Sequence, residues 1–224
     1  ATDEQIRQIT KSADRYLYDE KVGGYRLNTD FGEVKTDLGR MFGFAYGEKE
    51  NGAVFSHMAV MYANALYKQG FIKEGYKVLK TLLDTAMDFD RSRMYPGVPE
   101  YFDNDGRGLY SYLTGAASWY MLTMITSVYG VHGELGDLVI EPALMPQQYN
   151  EKGDAKVSLE FAGHRFDISV HNPDKLEPGD AQVKRALCDD VKVENVTGNS
   201  VRIPKHAIEM LSTDKCHTVE IYIE

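Results

Sequence analysis

The chain has 224 residues, a formal net charge of −9, and 43% hydrophobic and 26% charged residues, which suits one large or two small globular domains. The acidic balance argues against nucleic acid and anionic membrane as partners, because both are bound through clustered Lys and Arg that displace counterions. No apolar run is long enough to span a bilayer. Cys188 and Cys216 stand at no metal or redox spacing and read as ordinary thiols of a reducing compartment, so no metal is expected and the expected location is the cytoplasm. The chain opens on Ala-Thr-Asp-Glu, without Met and inside a helical pattern, which suggests a processed chain or a piece of a larger one.

The first half reads as helices. Thr2 and Gln5 form a capping-box pattern ahead of Ile6, Ile9, Ala13 and Leu17 at helical spacing. A loop follows the Gly23-Gly24 break, then a short helical segment over Asp37 to Phe44 and the turn-rich stretch Gly47 to Gly52. An apolar helix is predicted from Ala53 to Gln69, closed by Gly70, and a second from Ile72 to Met87 with Tyr76, Val78, Leu79, Leu82, Leu83 and Met87 on its buried stripe. Their short connection makes them antiparallel neighbours. Residues 88–108 read as a long loop, and a last helix over Ser111 to Tyr129 is apolar almost all round, as in a helix buried inside a larger assembly.

From Leu138 the period changes to two. Val157, Leu159 and Phe161 alternate with polar residues, Ala162-Gly163 turns the chain, and Phe166, Ile168 and Val170 alternate on the return. Val191, Val193 and Val196 lead to a turn at Thr197 to Ser200, Val201 and Ile203 follow, and Val219, Ile221 and Ile223 form a final strand. The expected organisation is residues 1–134 as an incomplete helical domain and residues 135–224 as a small antiparallel β domain of sandwich type, joined near Gly133 to Asp137.

Three stretches carry a resemblance: Lys49-Glu50-Asn51-Gly52-Ala53-Val54-Phe55-Ser56-His57, Gly108 to Trp119 with Thr114-Gly115 inside it, and Gly130 to Pro142. In this order, and followed by β structure, they resemble glycoside hydrolase family 94, the enzymes that phosphorolyse cellobiose, cellodextrins, laminaribiose or β-1,2-oligoglucans. The resemblance implies the last helices of an (α/α)₆ barrel followed by a C-terminal β-sandwich. It implies glycosyl transfer from a β-linked glucoside to inorganic phosphate, giving α-glucose 1-phosphate, with phosphate as a substrate and no cofactor. It also implies that the catalytic acid belongs to a part of the barrel outside this chain, so no catalytic residue is assigned here. The expected partners are the oligosaccharide, phosphate, and the missing N-terminal barrel half or another copy of the chain; the chain alone is expected to be inactive.

By the same resemblance, His57, Thr114 and Gly115 are the candidate phosphate-binding residues, and Lys49, Glu100 and Arg107 are candidates for contact with the sugar. The chemistry suits these types. An inverting hydrolase needs an acid and a base, whereas phosphate is already an anionic nucleophile and needs only preorganised donors. An imidazole, a hydroxyl and a main-chain N–H at a glycine supply such donors. Each residue also has a purely structural reading: His57 as a hydrogen-bonded helix histidine, Thr114 and Gly115 as small residues that permit close helix packing, and Lys49, Glu100 and Arg107 as solvated loop charges. Two other functional classes stay open at this stage, a plain (α/α)₆ hydrolase and a non-catalytic carbohydrate-binding or structural fragment.

Overall fold

A computed structural model describes residues 1–94, 97–111 and 115–224. The chain divides into two compact units, Ala1–Thr123 and Met124–Glu224. The sequence-expected border at residue 134 falls inside the second unit, where Gly133 to Asp137 form part of a hairpin.

The first unit opens with helix α1 (Asp3–Tyr16), whose start is fixed by the Thr2/Gln5 capping box. Ile6, Thr10 and Ala13 are its buried face, while Ile9, expected on that face, is 52% exposed. Strands β1 (Tyr18–Asp19) and β2 (Gly24–Tyr25) form a small hairpin, and the segment expected to be helical over 37–44 is two 3-10 turns, Thr36–Leu38 and Arg40–Gly43.

The helix expected from Ala53 begins three residues later. Val54–Phe55 is strand β3, and helix α2 runs Ser56–Lys68. The β-branched and aromatic pair suits a strand, and it finds partners: Val54 and Phe55 register against Phe102 and Tyr101 of β4 (Tyr101–Phe102), which pairs in turn with β5 (Gly108–Leu109). The expected loop 88–108 is thus partly ordered into a short helix α4 (Phe89–Ser92) and two strands of a three-stranded sheet.

Helix α3 (Ile72–Met87) follows α2 through Gly70, which takes the left-handed conformation (φ 78°) of a helix-ending glycine. Val78, Leu79 and Leu82 are buried, each worth on the order of 2 kcal/mol. Leu83 and Met87, expected beside them, are exposed, because the buried arc passes through Gly75, Thr85 and Ala86 instead. Helix α5 (Gly115–Thr123) packs on α2, and the buried Asn64 donates from its side-chain amide to Thr123 Oγ1 at 3.2 Å. The all-round apolar character of this segment leaves Met121 and Leu122 exposed on α5, as Met58 and Met61 are on α2.

The second unit begins with a π-helical turn, Met124–Val128. Strands β6 (Val131–Glu134) and β7 (Asp137–Ile140) form a hairpin around Leu135-Gly136. Strands β8 (Asp154–Phe161) and β9 (His164–His171) form the expected hairpin, with Val157 opposite Ile168 and Leu159 opposite Phe166. Strands β10 (Val183–Cys188), β11 (Val191–Lys192), β12 (Val196–Thr197) and β13 (Ser200–Ile203) come next. A short helix α6 (Lys205–Glu209) then leads to β14 (Cys216–Ile223). Two sheets result, in the orders β11-β10-β14-β9-β8 and β12-β13-β7-β6. One correction to an all-antiparallel domain is needed: β14 runs parallel to β9, with Ile221 opposite Val170. The chain leaves β9, builds four strands and α6, and returns in the same direction, which a tight hairpin cannot do. Phe166, Ile168, Val219, Ile221, Leu138 and Ile140 are fully buried and form the core of this unit.

Candidate functional site

The second residue of α2 and the first residue of the described part of α5 meet. A β-carbon on Gly115 would stand 2.8 Å from His57 Cε1, 2.9 Å from Nδ1 and 3.3 Å from Nε2. Only glycine therefore lets the α5 backbone lie against the imidazole. The His57 ring also lies near the indole of Trp119, one turn further along α5, at 5.6 Å between centroids and tilted by 46°. Two of the proposed phosphate contacts are thus neighbours in space though 58 positions apart in sequence. The third, Thr114, lies outside the described residues.

His57 Nε2 and Ser56 Oγ are buried without a hydrogen-bond partner among the described residues. A buried polar atom left unsatisfied costs about 1–3 kcal/mol, so each of the two calls for a partner beyond the described residues. Ser56 itself is fixed by its main chain, whose N–H donates to the carbonyl of Glu100 at 2.9 Å.

That bond brings one end of the three-stranded β3-β4-β5 sheet to the start of α2. Glu100 and Tyr110 flank the paired residues Tyr101 and Leu109. Lys49 reaches them from the loop before β3: its ammonium is 3.3 Å from Glu100 Oε2 and 3.6 Å from the centre of the Tyr110 ring. Burial disfavours the charged amine, but Tyr110 and Glu100 outweigh it and hold the Lys49 pKa above the usual range. The neighbouring Glu48 accepts a hydrogen bond from Tyr101 Oη at 2.8 Å, and the Tyr101 ring is stacked with Phe55 at 6.2 Å. Lys49 sits at φ 45°, a left-handed conformation that non-glycine residues rarely adopt. Its strain is held by the hydrogen bonds of the flanking turn, where Asn28 Oδ1 accepts from Gly52 N–H and Arg26 donates to Gly52 C=O.

Arg107 is not brought to this cluster. It lies in the 103–107 turn, at the opposite end of the β4–β5 hairpin from Glu100 and Tyr110, and it is exposed. Sequence reasoning also missed four residues that line the cluster: Ser56, Tyr101, Tyr110 and Trp119. All but Tyr101 stand inside the quoted motifs, so the signal was present, but aromatic and hydroxyl residues at those positions read equally well as packing. Among the described residues there is no cluster of His, Cys, Asp and Glu able to hold a metal ion, and no helix is long and apolar enough to cross a membrane.

No protein-family model matches the chain. Two curated proteins do. A cellobionic acid phosphorylase from Neurospora crassa is 26% identical over 80% of this chain and 25% of its own length. An N,N'-diacetylchitobiose phosphorylase from Vibrio proteolyticus is 26% identical over 80% of this chain and 23% of its own length. The chain thus spans about a quarter of the length of the curated relatives it matches. Over four-fifths of its length, the chain is similar to carbohydrate phosphorylases of the glycoside hydrolase family 94 type, the resemblance that its three motifs carry.

Proposed function

We propose that this chain is the phosphate-binding side of an inverting glycoside phosphorylase. The observation that carries the reading is the contact of His57 with Gly115, in which a buried Nε2 without a partner among the described residues belongs to a ring seated against the main chain at the start of α5. A dianion would find there an imidazole, the Ser56 hydroxyl and a main-chain N–H, to which Thr114 would add a second hydroxyl. The net charge of −9 makes such local donors necessary, since the field of the whole chain repels phosphate. That both relatives are phosphorylases supports phosphate as the second substrate.

On this reading a phosphate oxygen attacks the anomeric carbon on the face opposite the leaving sugar. The glycosidic C–O bond breaks and its oxygen takes a proton from a carboxylic acid, leaving α-glucose 1-phosphate and the shortened saccharide. No carboxylate of this chain is given the acid's role; it would come from another part of an (α/α)₆ barrel to which α2, α3 and α5 belong. The second unit would be the C-terminal β-sandwich, and the enzyme would work in the cytoplasm. Lys49 and Glu100 would face the leaving sugar, and Arg107 has no support from its placement. The test is product analysis of the full-length protein acting on β-linked glucobioses with and without phosphate. α-Glucose 1-phosphate formed only with phosphate supports the reading, and free glucose formed at the same rate without phosphate sinks it.

A further inference from the structure

The second unit holds a cavity of about 570 Å³. One wall runs from Cys188 through β11 to Asn195, and the other from Ile203 through α6 to Leu211. Val191, Val193, Ile203, Ala207, Met210 and Leu211 give it an aliphatic lining, and among the described residues no aromatic ring lines it. Val193 and Ile203 are buried, whereas Met210 and Val191 are 85% and 69% exposed, so two large apolar side chains stand in water at the cavity. The walls are fixed by bonds of their own. Val193 N–H donates to the Ala186 carbonyl at 2.9 Å, and Lys205 N–H, at the start of α6, donates to Asp137 Oδ1 at 2.8 Å. The fully buried His217 ties the two walls together, with Nδ1 2.7 Å from Asp189 Oδ2 and Nε2 2.7 Å from the Ser212 carbonyl. A cavity formed in this way needs no ordering when a ligand enters, which removes a large part of the cost of binding.

We propose that this cavity binds a small, uncharged, mainly aliphatic molecule that carries a single hydroxyl or carbonyl group. Its volume lies within the range of about 300–1,000 Å³ that small-molecule sites span. The charges along it are already engaged. Lys192 pairs with Glu194 at 2.9 Å, and Asp189 is held by Lys215 at 2.6 Å, by His217, and by the Thr218 N–H at 3.0 Å. A charged ligand would have to break one of these pairs or enter an aliphatic cavity unpaired. The Asn195 and His206 side chains are exposed and make no hydrogen bond among the described residues, so one polar group of a ligand finds partners there. A sugar suits the cavity poorly. Most of its hydroxyls would leave water for aliphatic walls, and its ring would have no aromatic face to rest on.

The experiment titrates the full-length protein, labelled at its methionine methyl groups, with adamantanol, adamantanecarboxylate and glucose. The Met210 methyl signal, identified by its loss in Met210→Leu, reports binding by NMR. Adamantanol is expected to shift it saturably with Kd on the order of 0.1–1 mM, and the carboxylate to bind at least about tenfold more weakly. Glucose is expected to leave it in place. Ala207→Phe should abolish the shift by filling the cavity. Val191→Asp, at an exposed position, should weaken adamantanol about tenfold at an unchanged Tm. Several results would overturn the inference: no adamantanol shift in folded protein, glucose or the carboxylate bound as tightly, or full affinity in a folded Val191→Asp variant. A Met210 signal that moves with protein concentration alone would also overturn it, by giving the site to a second copy of the chain.

Discussion

The imidazole of His57 lies so close to Gly115 that a β-carbon there would stand 2.8 Å from Cε1. That contact makes Gly115 a steric determinant of the His57 position. Gly115→Ala should push the ring aside by a few tenths of an ångström or more, and Gly115→Val should do so further. We expect kcat/KM for phosphate in the full-length enzyme to fall on the order of 10²-fold for Val and less for Ala, because displacement of a positioned group carries a penalty of that scale. Thermal unfolding measured beside the kinetics separates this from loss of the fold: an unchanged phosphate KM with a lowered Tm would assign Gly115 to packing alone.

His57→Ala removes a donor without removing a satisfied hydrogen bond, since Nε2 has no partner among the described residues. Turnover should fall on the order of 10²-fold, the effect of losing one preorganised donor to a reacting oxyanion. Stability should change little. A variant that unfolds readily yet keeps its phosphate dependence would mean that the histidine serves the structure.

In the β unit, the His171 ring lies between two carboxylates on neighbouring strands. Nδ1 faces Asp154 at 2.8 Å, Nε2 pairs with Glu220, and the ring stacks on Tyr222 at 4.7 Å. Burial works against the charged ring, but the bonds to Glu220 and Asp154 outweigh it and raise the His171 pKa above 6.5. A raised pKa in the folded state means that this stabilisation is fully present below the unfolded value and is lost as pH rises through the folded one. The bond to His171, working against a smaller desolvation effect, lowers the Asp154 pKa below 3.8, so its share is present above that value and lost on further acidification. The urea midpoint of the wild type should therefore decline relative to His171→Gln as pH rises from about 6 to 9. Parallel profiles for the two proteins would dismiss the clamp.

Leu135 and Gly136 form the two-residue turn between β6 and β7, with φ 52° and 96°, and Leu135 is 98% exposed. Positive φ at both positions is the hairpin turn that favours Asn-Gly, and leucine is strained there. Leu135→Asn should stabilise the second unit by about 0.5–1 kcal/mol, read as a rise in its denaturation midpoint. A loss of stability would show that the leucine is held by a contact its exposure conceals.

The parts legible in the sequence were those governed by local chemistry. The Thr2/Gln5 box, the Gly70 stop and the Ala162-Gly163 hairpin each depend on a few adjacent residues, and each is where periodicity and turn preference put it. What escaped depends on distant partners. Val54 and Phe55 have helical spacing with the residues behind them, but Phe102 and Tyr101 recruit them into a sheet. Nothing in the 164–171 stretch announces that its later neighbour arrives parallel, because that is decided by 44 residues of intervening chain between His171 and Cys216. At the site, the motifs named His57 and Gly115 for one common phosphate site; the direct contact of the imidazole with the Gly115 main chain comes from the packing of α2 on α5. Arg107 was named for its place in the loop shared with Glu100, and a hairpin two pairs long suffices to carry it away from that residue.

The central claim is that His57 Nε2 is an open donor to phosphate. It is tested most directly by a crystal structure of the full-length protein with phosphate bound. The account predicts a phosphate oxygen within about 3 Å of His57 Nε2, with the main chain at Gly115 on the same ion. A phosphate held elsewhere, with Nε2 bonded to a protein group, would contradict it.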